Sequence, residues 1–267
     1  LKLSLWINGR IVAADRATVP ALDPAVQIGS GLFEVMRAYE GEPFLLDRHL
    51  ARLRRSARTF GFRVRPTNTA IGRGVRGVLR ANKLREAYVR LVLTEGGSFM
   101  IRASPLPPVP AVWYRKGAAV EFAPWRRDPR APLYGHKTLN YLENVLTLAR
   151  AREKNLADYL FQSIGGPVLE GCVTNVFLVS RGRLQTPALE GILPGVTRGV
   201  VIGIAKALKI PVHERSLMPR DFERADEVFL TNALIEVLPI SRVGKWSIGP
   251  PGPVTSALSR DYRLLPI

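Results

Sequence analysis

The apolar residues of this chain change period several times, and that restricts the fold more than any single residue does. Residues 3–14 alternate apolar and polar side chains around Asn8-Gly9, which reads as a β-hairpin. Residues 31–39 (GLFEVMRAY) form a strand that Gly41-Glu42-Pro43 turns into PFLL, a second hairpin. Leu50, Leu53 and Ala57 then recur at helical spacing, so a helix is expected over 47–60 with Asp47 as its cap. A second helix is expected at 67–82 and a buried strand at 87–94 (AYVRLVLT). The prolines of SPLPPVP interrupt this pattern, and a linker is expected at 114–117 after a first domain spanning 1–113.

The second domain, 118–267, opens on a strand at 118–122. A helix is expected from 139 to 154, with Leu142, Val145, Leu146 and Ala149 along one stripe. Strands follow at 157–163, 173–179, 183–185 and 227–230, and a helix opens after Pro194-Gly195. Strands and helices mix without strict βαβ alternation or an internal repeat. The fold class is therefore α/β (mixed α+β) in two domains.

Composition excludes several functions. The formal net charge is +17, but 31 of the 39 basic residues are arginines scattered along the chain, and the densest stretches (52–58 and 73–85) read as solvated helix faces. No nucleic-acid partner is expected. No apolar run reaches the length of a membrane helix, and the N-terminal apolar stretch is too short for a signal peptide. Cys172, the single cysteine, cannot form an internal disulfide, which suits a cytoplasmic location. His49, His136 and His213 have no metal-ligand spacing, so no metal site is expected. The GxG of Gly29-Ser30-Gly31 reads as a tight turn, and no GxSxG elbow occurs.

One side chain stands apart. Lys137, in GHKTLNYLENVL, precedes an apolar helix at the place where a capping residue is usual. It is either a snorkelling surface lysine or an amine nucleophile whose pKa is lowered beside Tyr141.

The segments DRHLARLRRSA, HKTLNYLENVL, VLEGCVTNVFLV, ILPGVTR and FLTNALIEVLPI, in this order, resemble the fold-type IV pyridoxal-phosphate enzymes. This family includes branched-chain and D-amino-acid aminotransferases and aminodeoxychorismate lyases. The resemblance spans nearly the whole chain. It implies that Lys137 bonds the aldehyde of pyridoxal 5′-phosphate and shuttles a proton between Cα and C4′. By the same resemblance, Tyr141 meets the phenolic oxygen and Glu170 the pyridine nitrogen. Arg52, in an HxxRL pattern with His49, would clamp the phosphate. Val196 and Thr197 at a helix start, and the turn of Asn232 and Ala233, would supply further donors.

Phe33, Val35 and Arg37 match substrate-pocket positions. Arg37 either binds a substrate carboxylate or makes an ion pair with Glu34 or Glu40. Arg90 and Arg102 are further possible carboxylate partners, and Glu95 stands where relatives commonly carry a basic residue. The expected function is transamination between an α-amino acid and a 2-oxo acid by a homodimer with its active site between domains. The alternative is an aminodeoxychorismate lyase releasing 4-aminobenzoate and pyruvate.

Overall fold

A computed structural model describes residues 3–266, which divide into two units. The first holds the described residues up to Pro108 together with His136–Asn140. Its elements are β1 (Ser4–Ile7), β2 (Arg10–Ala13), α1 (Pro24–Ile28), β3 (Gly31–Tyr39) and β4 (Glu42–Pro43), then α2 (Leu46–Phe60), α3 (Asn68–Ala81), β5 (Ala87–Thr94) and β6 (Phe99–Ser104). The six strands form one antiparallel sheet in the order β2-β1-β6-β5-β3-β4.

Side chains alternate across this sheet with the two-residue period of extended chain. Leu32, Met36, Val89, Leu91 and Ile101 enter a core with Leu50 and Leu53 of α2 and Ile71 and Val75 of α3. Leu5, Phe33, Val35, Arg37, Arg90, Val92, Met100 and Arg102 alternate with those residues and so share the opposite face. The hairpin at Asn8-Gly9 and strands β3 and β5 match the expected positions. The cap of α2 does not. Leu45 occupies the N-cap position, and Asp47 lies inside the first turn, where its charge favours the helix dipole without capping it.

The second unit holds Val109–Gly135 and Tyr141–Pro266. Its elements are α4 (Ala111–Lys116), β7 (Ala118–Arg127), α5 (Leu142–Glu153), β8 (Asp158–Ser163), β9 (Val168–Gly171), β10 (Asn175–Ser180) and β11 (Arg183–Thr186). They continue with α6 (Val196–Ala207), β12 (Val212–Glu214), α7 (Pro219–Glu223), β13 (Glu227–Asn232), β14 (Glu236–Val243), β15 (Trp246–Ser247) and α8 (Pro253–Arg263). The sheet is mixed, in the order β12-β11-β10-β13-β14-β7-β8-β9, with β15 on β14. Helix α5 makes the crossover between the parallel strands β7 and β8.

The division differs from the expected one in two places. The linker expected at 114–117 is the end of α4, closed by a hydrogen bond from Gly117 N to Trp113 O. Residues 136–140, of which the last two are expected to open the helix, run as a strap in the first unit. Phe33 N donates to Lys137 O at 2.9 Å, and Leu139 N donates to Gly31 O at 2.9 Å. This antiparallel pairing with β3, with a bridge between Leu32 and Thr138, holds the strap extended, and α5 starts only at Leu142.

Helix α5 also turns opposite to its expected face. Leu142, Val145, Leu146 and Ala149 are exposed, while Thr147 and Ala151 are buried. Polar anchoring sets this rotation. Arg127 donates to Glu143 at 2.8 Å and to Asn144 at 3.1 Å, and Asn144 donates to Cys172 O at 2.6 Å.

Candidate active site

Two clusters contain the residues singled out in the sequence, one in each unit. In the first, period-two alternation sends Glu34 of β3 to the core face and Phe33 to the open face. Glu34 is fully buried and accepts three hydrogen bonds. Arg52 gives Nε to Oε1 at 2.8 Å and Nη2 to Oε2 at 2.7 Å, and His49 Nδ1 reaches Oε2 at 2.8 Å. Burial works to raise this carboxyl, but Arg52 and His49 outweigh it and hold the pKa at about 2. Burial also lowers the pKa of His49, against the pull of Glu34, with Arg52 and Lys137 adding to the lowering.

Lys137 sits on the strap, half-buried, with Nζ 4.4 Å from the centroid of the Phe33 ring. Close packing fixes the strap against β3. A Cβ on Gly31 would lie 2.6 Å from Leu139 Cδ1 and 2.7 Å from Leu93 O. The neighbouring His136 bonds Ser56 of α2 at 2.9 Å and packs edge-on against Phe60. The amine therefore stands on a backbone tied at 137 and 139 and braced at 136. Phe33 is buried beneath it, and Val35 follows on the same face.

Arg37 shares that face, but its guanidinium is closed by Glu86, with Nη2 at 2.9 Å and Nε at 3.3 Å. The expected pairing with Glu34 or Glu40 is not formed, because Glu34 points to the core and Glu40 pairs with Arg85. Glu95 is exposed in the turn between β5 and β6.

In the second unit, Tyr141 immediately precedes α5 and donates its hydroxyl to Cys172 O at 3.0 Å. Burial raises its pKa, with Glu170 and Asp158 adding to the effect. Glu170, next to last in β9, has Oε2 accepting from Leu193 N at 3.0 Å and from Asn175 Nδ2 at 3.3 Å. The turn after it is pinned by the buried Asp158, which accepts from Cys172 N, Val173 N and the Thr174 hydroxyl. Burial pushes the Cys172 thiol far up, with Asp158 next in effect.

Val196 and Thr197 form the first turn of α6, and Thr197 is buried. The N-cap is Gly195, which has no side chain to cap the helix, and a Cβ there would fall 2.0 Å from Asn175 Oδ1. Asn175 thus links the helix start to Glu170. Asn232 spends its side chain on its own turn, with Oδ1 accepting from Leu234 N at 2.8 Å and Ile235 N at 2.9 Å and Nδ2 donating to Val173 O at 3.2 Å. Ala233 lies inside that turn. Among the described residues, no cluster of three His, Cys, Asp or Glu side chains could hold a metal ion.

Sequence reasoning offered Glu34 to Arg37 rather than to Arg52 and His49, and it missed Asn175 and Ser56 as partners of site residues. Only Glu34 carried a signal, since the period of its strand placed it opposite Phe33.

The chain belongs to the amino-transferase class IV family, whose model matches residues 31–243. It is an aminotransferase. It is similar to the Escherichia coli branched-chain amino acid aminotransferase structure (TM-score 0.92, 28% identity), covering 99% of this chain and 95% of that one. A branched-chain amino acid aminotransferase from T.th., solved with pyridoxamine 5′-phosphate, gives a TM-score of 0.91 at 27% identity, covering 98% and 93%. The D-alanine aminotransferase of Staphylococcus epidermidis is 30% identical, over 97% of this chain and 96% of that protein. The fold is that of the fold-type IV aminotransferases.

Proposed function

We propose that this aminotransferase holds pyridoxal 5′-phosphate on Lys137 and exchanges an amino group between an α-amino acid and a 2-oxo acid. The observation that carries this reading is the tethered strap, which presents a lysine amine above Phe33. The donor set fits the cofactor. It offers an amine, a carboxylate oriented by two donors, a buried arginine, and a twelve-residue helix whose glycine cap leaves its N-terminal amides toward an anion. A solved relative contains pyridoxamine 5′-phosphate, which supports the same conclusion.

Bound, the cofactor supplies an aldehyde for the amino group and a ring that takes up the electron pair left at Cα. The protein does the rest. Arg52, the Val196 and Thr197 amides, and the turn of Asn232 and Ala233 would hold the phosphate. Tyr141 would give its hydroxyl to the phenolic oxygen. Glu170, fixed by Leu193 and Asn175, would hold a proton at the pyridine nitrogen. Lys137 Nζ, released when substrate arrives, would take the proton from Cα and deliver it to C4′. Phe33 and Val35 would line the substrate pocket.

The relatives are named as aminotransferases, which favours transamination over the lyase reaction. A homodimer is proposed because α5 exposes Leu142 at 68%, Val145 at 53% and Leu146 at 54%. A cytoplasmic location is proposed from the lone buried Cys172. Among the described residues, no helix is long and apolar enough to cross a membrane.

Half-reaction spectroscopy tests the function. L- and D-amino acids added singly should convert the cofactor absorbance to that of the amine form. Lys137→Ala should slow this by roughly 10²–10⁴-fold or more while retaining the fold. A wild-type band that no amino acid shifts would overturn the proposal.

A further inference from the structure

In the second unit, the carbonyl of Cys172 draws two side-chain donors. Asn144 Nδ2 lies 2.6 Å from it and the Tyr141 hydroxyl 3.0 Å. A carbonyl can only accept, so the single hydroxyl proton of Tyr141 points at Cys172 O. The same proton is the one that Tyr141 would give to the phenolic oxygen of the cofactor. One hydroxyl proton serves one strong acceptor at a time, so the carbonyl and the cofactor compete for it.

The Asn144 amide can face only one way. Arg127 Nη2 donates to its Oδ1 at 3.1 Å, and a guanidinium cannot accept, so Nδ2 is the atom that meets Cys172 O. Arg127 is itself held. It is buried, its Nε donates to Glu143 at 2.8 Å, and its guanidinium carbon lies 3.3 Å from the Phe161 centroid and 4.8 Å from that of Tyr134. The peptide unit is gripped on its other edge by the buried Asp158. Val173 N, which follows the Cys172 carbonyl, donates to Oδ2 at 3.3 Å, and Cys172 N donates to Oδ1 at 3.0 Å. An N–H drawn into such a bond polarises its peptide and strengthens the carbonyl as an acceptor. The carbonyl therefore stays where it is, and leaving it without a donor costs free energy.

We propose that Asn144 is a positioning residue of the transfer reaction, satisfying the Cys172 carbonyl so that the Tyr141 hydroxyl can turn from it to the cofactor's phenolic oxygen. This rests on the reading of Tyr141 as the partner of that oxygen. Burial raises the pKa of Tyr141, with Glu170 next in effect, so the phenol keeps the proton it has to give. Without Asn144 the carbonyl retains that proton, and the cofactor loses a donor at an oxygen where negative charge gathers.

The full chain, freed of cofactor, is reloaded with pyridoxal 5′-phosphate or with its 3-deoxy analogue, which lacks the phenolic oxygen. Calorimetry gives both dissociation constants, and their ratio is the preference for that oxygen. Tyr141→Phe should lower the preference by roughly 10- to 100-fold, as for a hydrogen bond to a charged oxygen. Asn144→Leu should lower it by roughly 3- to 10-fold and should change nothing further in Tyr141→Phe. Asn144→Asp keeps the acceptor for Arg127 but loses the donor, so it should match Asn144→Leu and decides the matter if that variant does not fold. Asn144→Gln should recover part of the loss. Asn144 variants that weaken both compounds alike, or whose loss adds to that of Tyr141→Phe, would overturn the proposal alone. If Tyr141→Phe leaves the preference unchanged, the reading of Tyr141 falls and the proposal with it.

Discussion

At Glu34, burial and charge act in opposite directions, and the outcome depends on three donors converging on one carboxylate. Its pKa of about 2 lies below the ordinary 4.5, so the stabilisation is present above 4.5 and is lost as pH falls toward 2. A shift of that size corresponds to about 3 kcal/mol. His49, lowered by burial, adds to the loss as pH falls below its ordinary 6.5, because the buried neutral ring must then charge. Glu34→Gln should cost about 3–5 kcal/mol at pH 7, since it leaves Arg52 buried beside a neutral amide. Urea unfolding from pH 7 to pH 2.5 checks this, and the gap between wild type and variant should narrow steadily on acidification. Arg52, the proposed phosphate ligand, depends on this pair for its position, so the variant should also bind inorganic phosphate more weakly.

Among the elements, the strap over β3 does most to place the amine, and Gly31 is where it is most sensitive. In Gly31→Ala the new methyl group would meet Leu139 and the fixed carbonyl of Leu93. The leucine can rotate away, but the carbonyl belongs to the ladder between β3 and β5 and cannot. We expect a loss of about 1–3 kcal/mol in thermal or urea unfolding and reduced cofactor occupancy by absorbance. The strap also marks the limit of what the sequence made legible. Strands β3 and β5 were readable because alternation is local and turn residues bound it. The extended run at 136–140 was not, because the bonds that hold it reach back to Gly31 and Phe33, and an apolar Leu139 fits a helical pattern equally well. The facing of α5 was hidden for a similar reason, since Arg127, Glu143 and Asn144 outweigh its apolar stripe. At the site, Lys137 and Glu170 stood out through motifs. The Arg37–Glu86 and Arg52–Glu34 pairs join residues far apart in the chain, beyond what spacing can reveal.

For the molecule as a whole, the outward stripe of α5 is the surface on which the proposed homodimer rests. Leu142, Val145 and Leu146 together form an apolar surface of the kind that a stable interface buries. Leu142→Lys combined with Leu146→Lys should leave the fold intact, as judged by circular dichroism, and shift the mass measured by light scattering from dimer to monomer. An unchanged mass would place the dimer contact elsewhere. The division of the chain has a different consequence, one of timing. Chain beyond Pro108 contributes to the second unit before His136–Asn140 returns to line β3. A ribosome that has released only the first hundred or so residues has made a sheet whose Gly31 carbonyl and Phe33 amide still lack their partners. The amino-terminal unit is thus finished late, by five residues that the chain makes only after the second unit has begun.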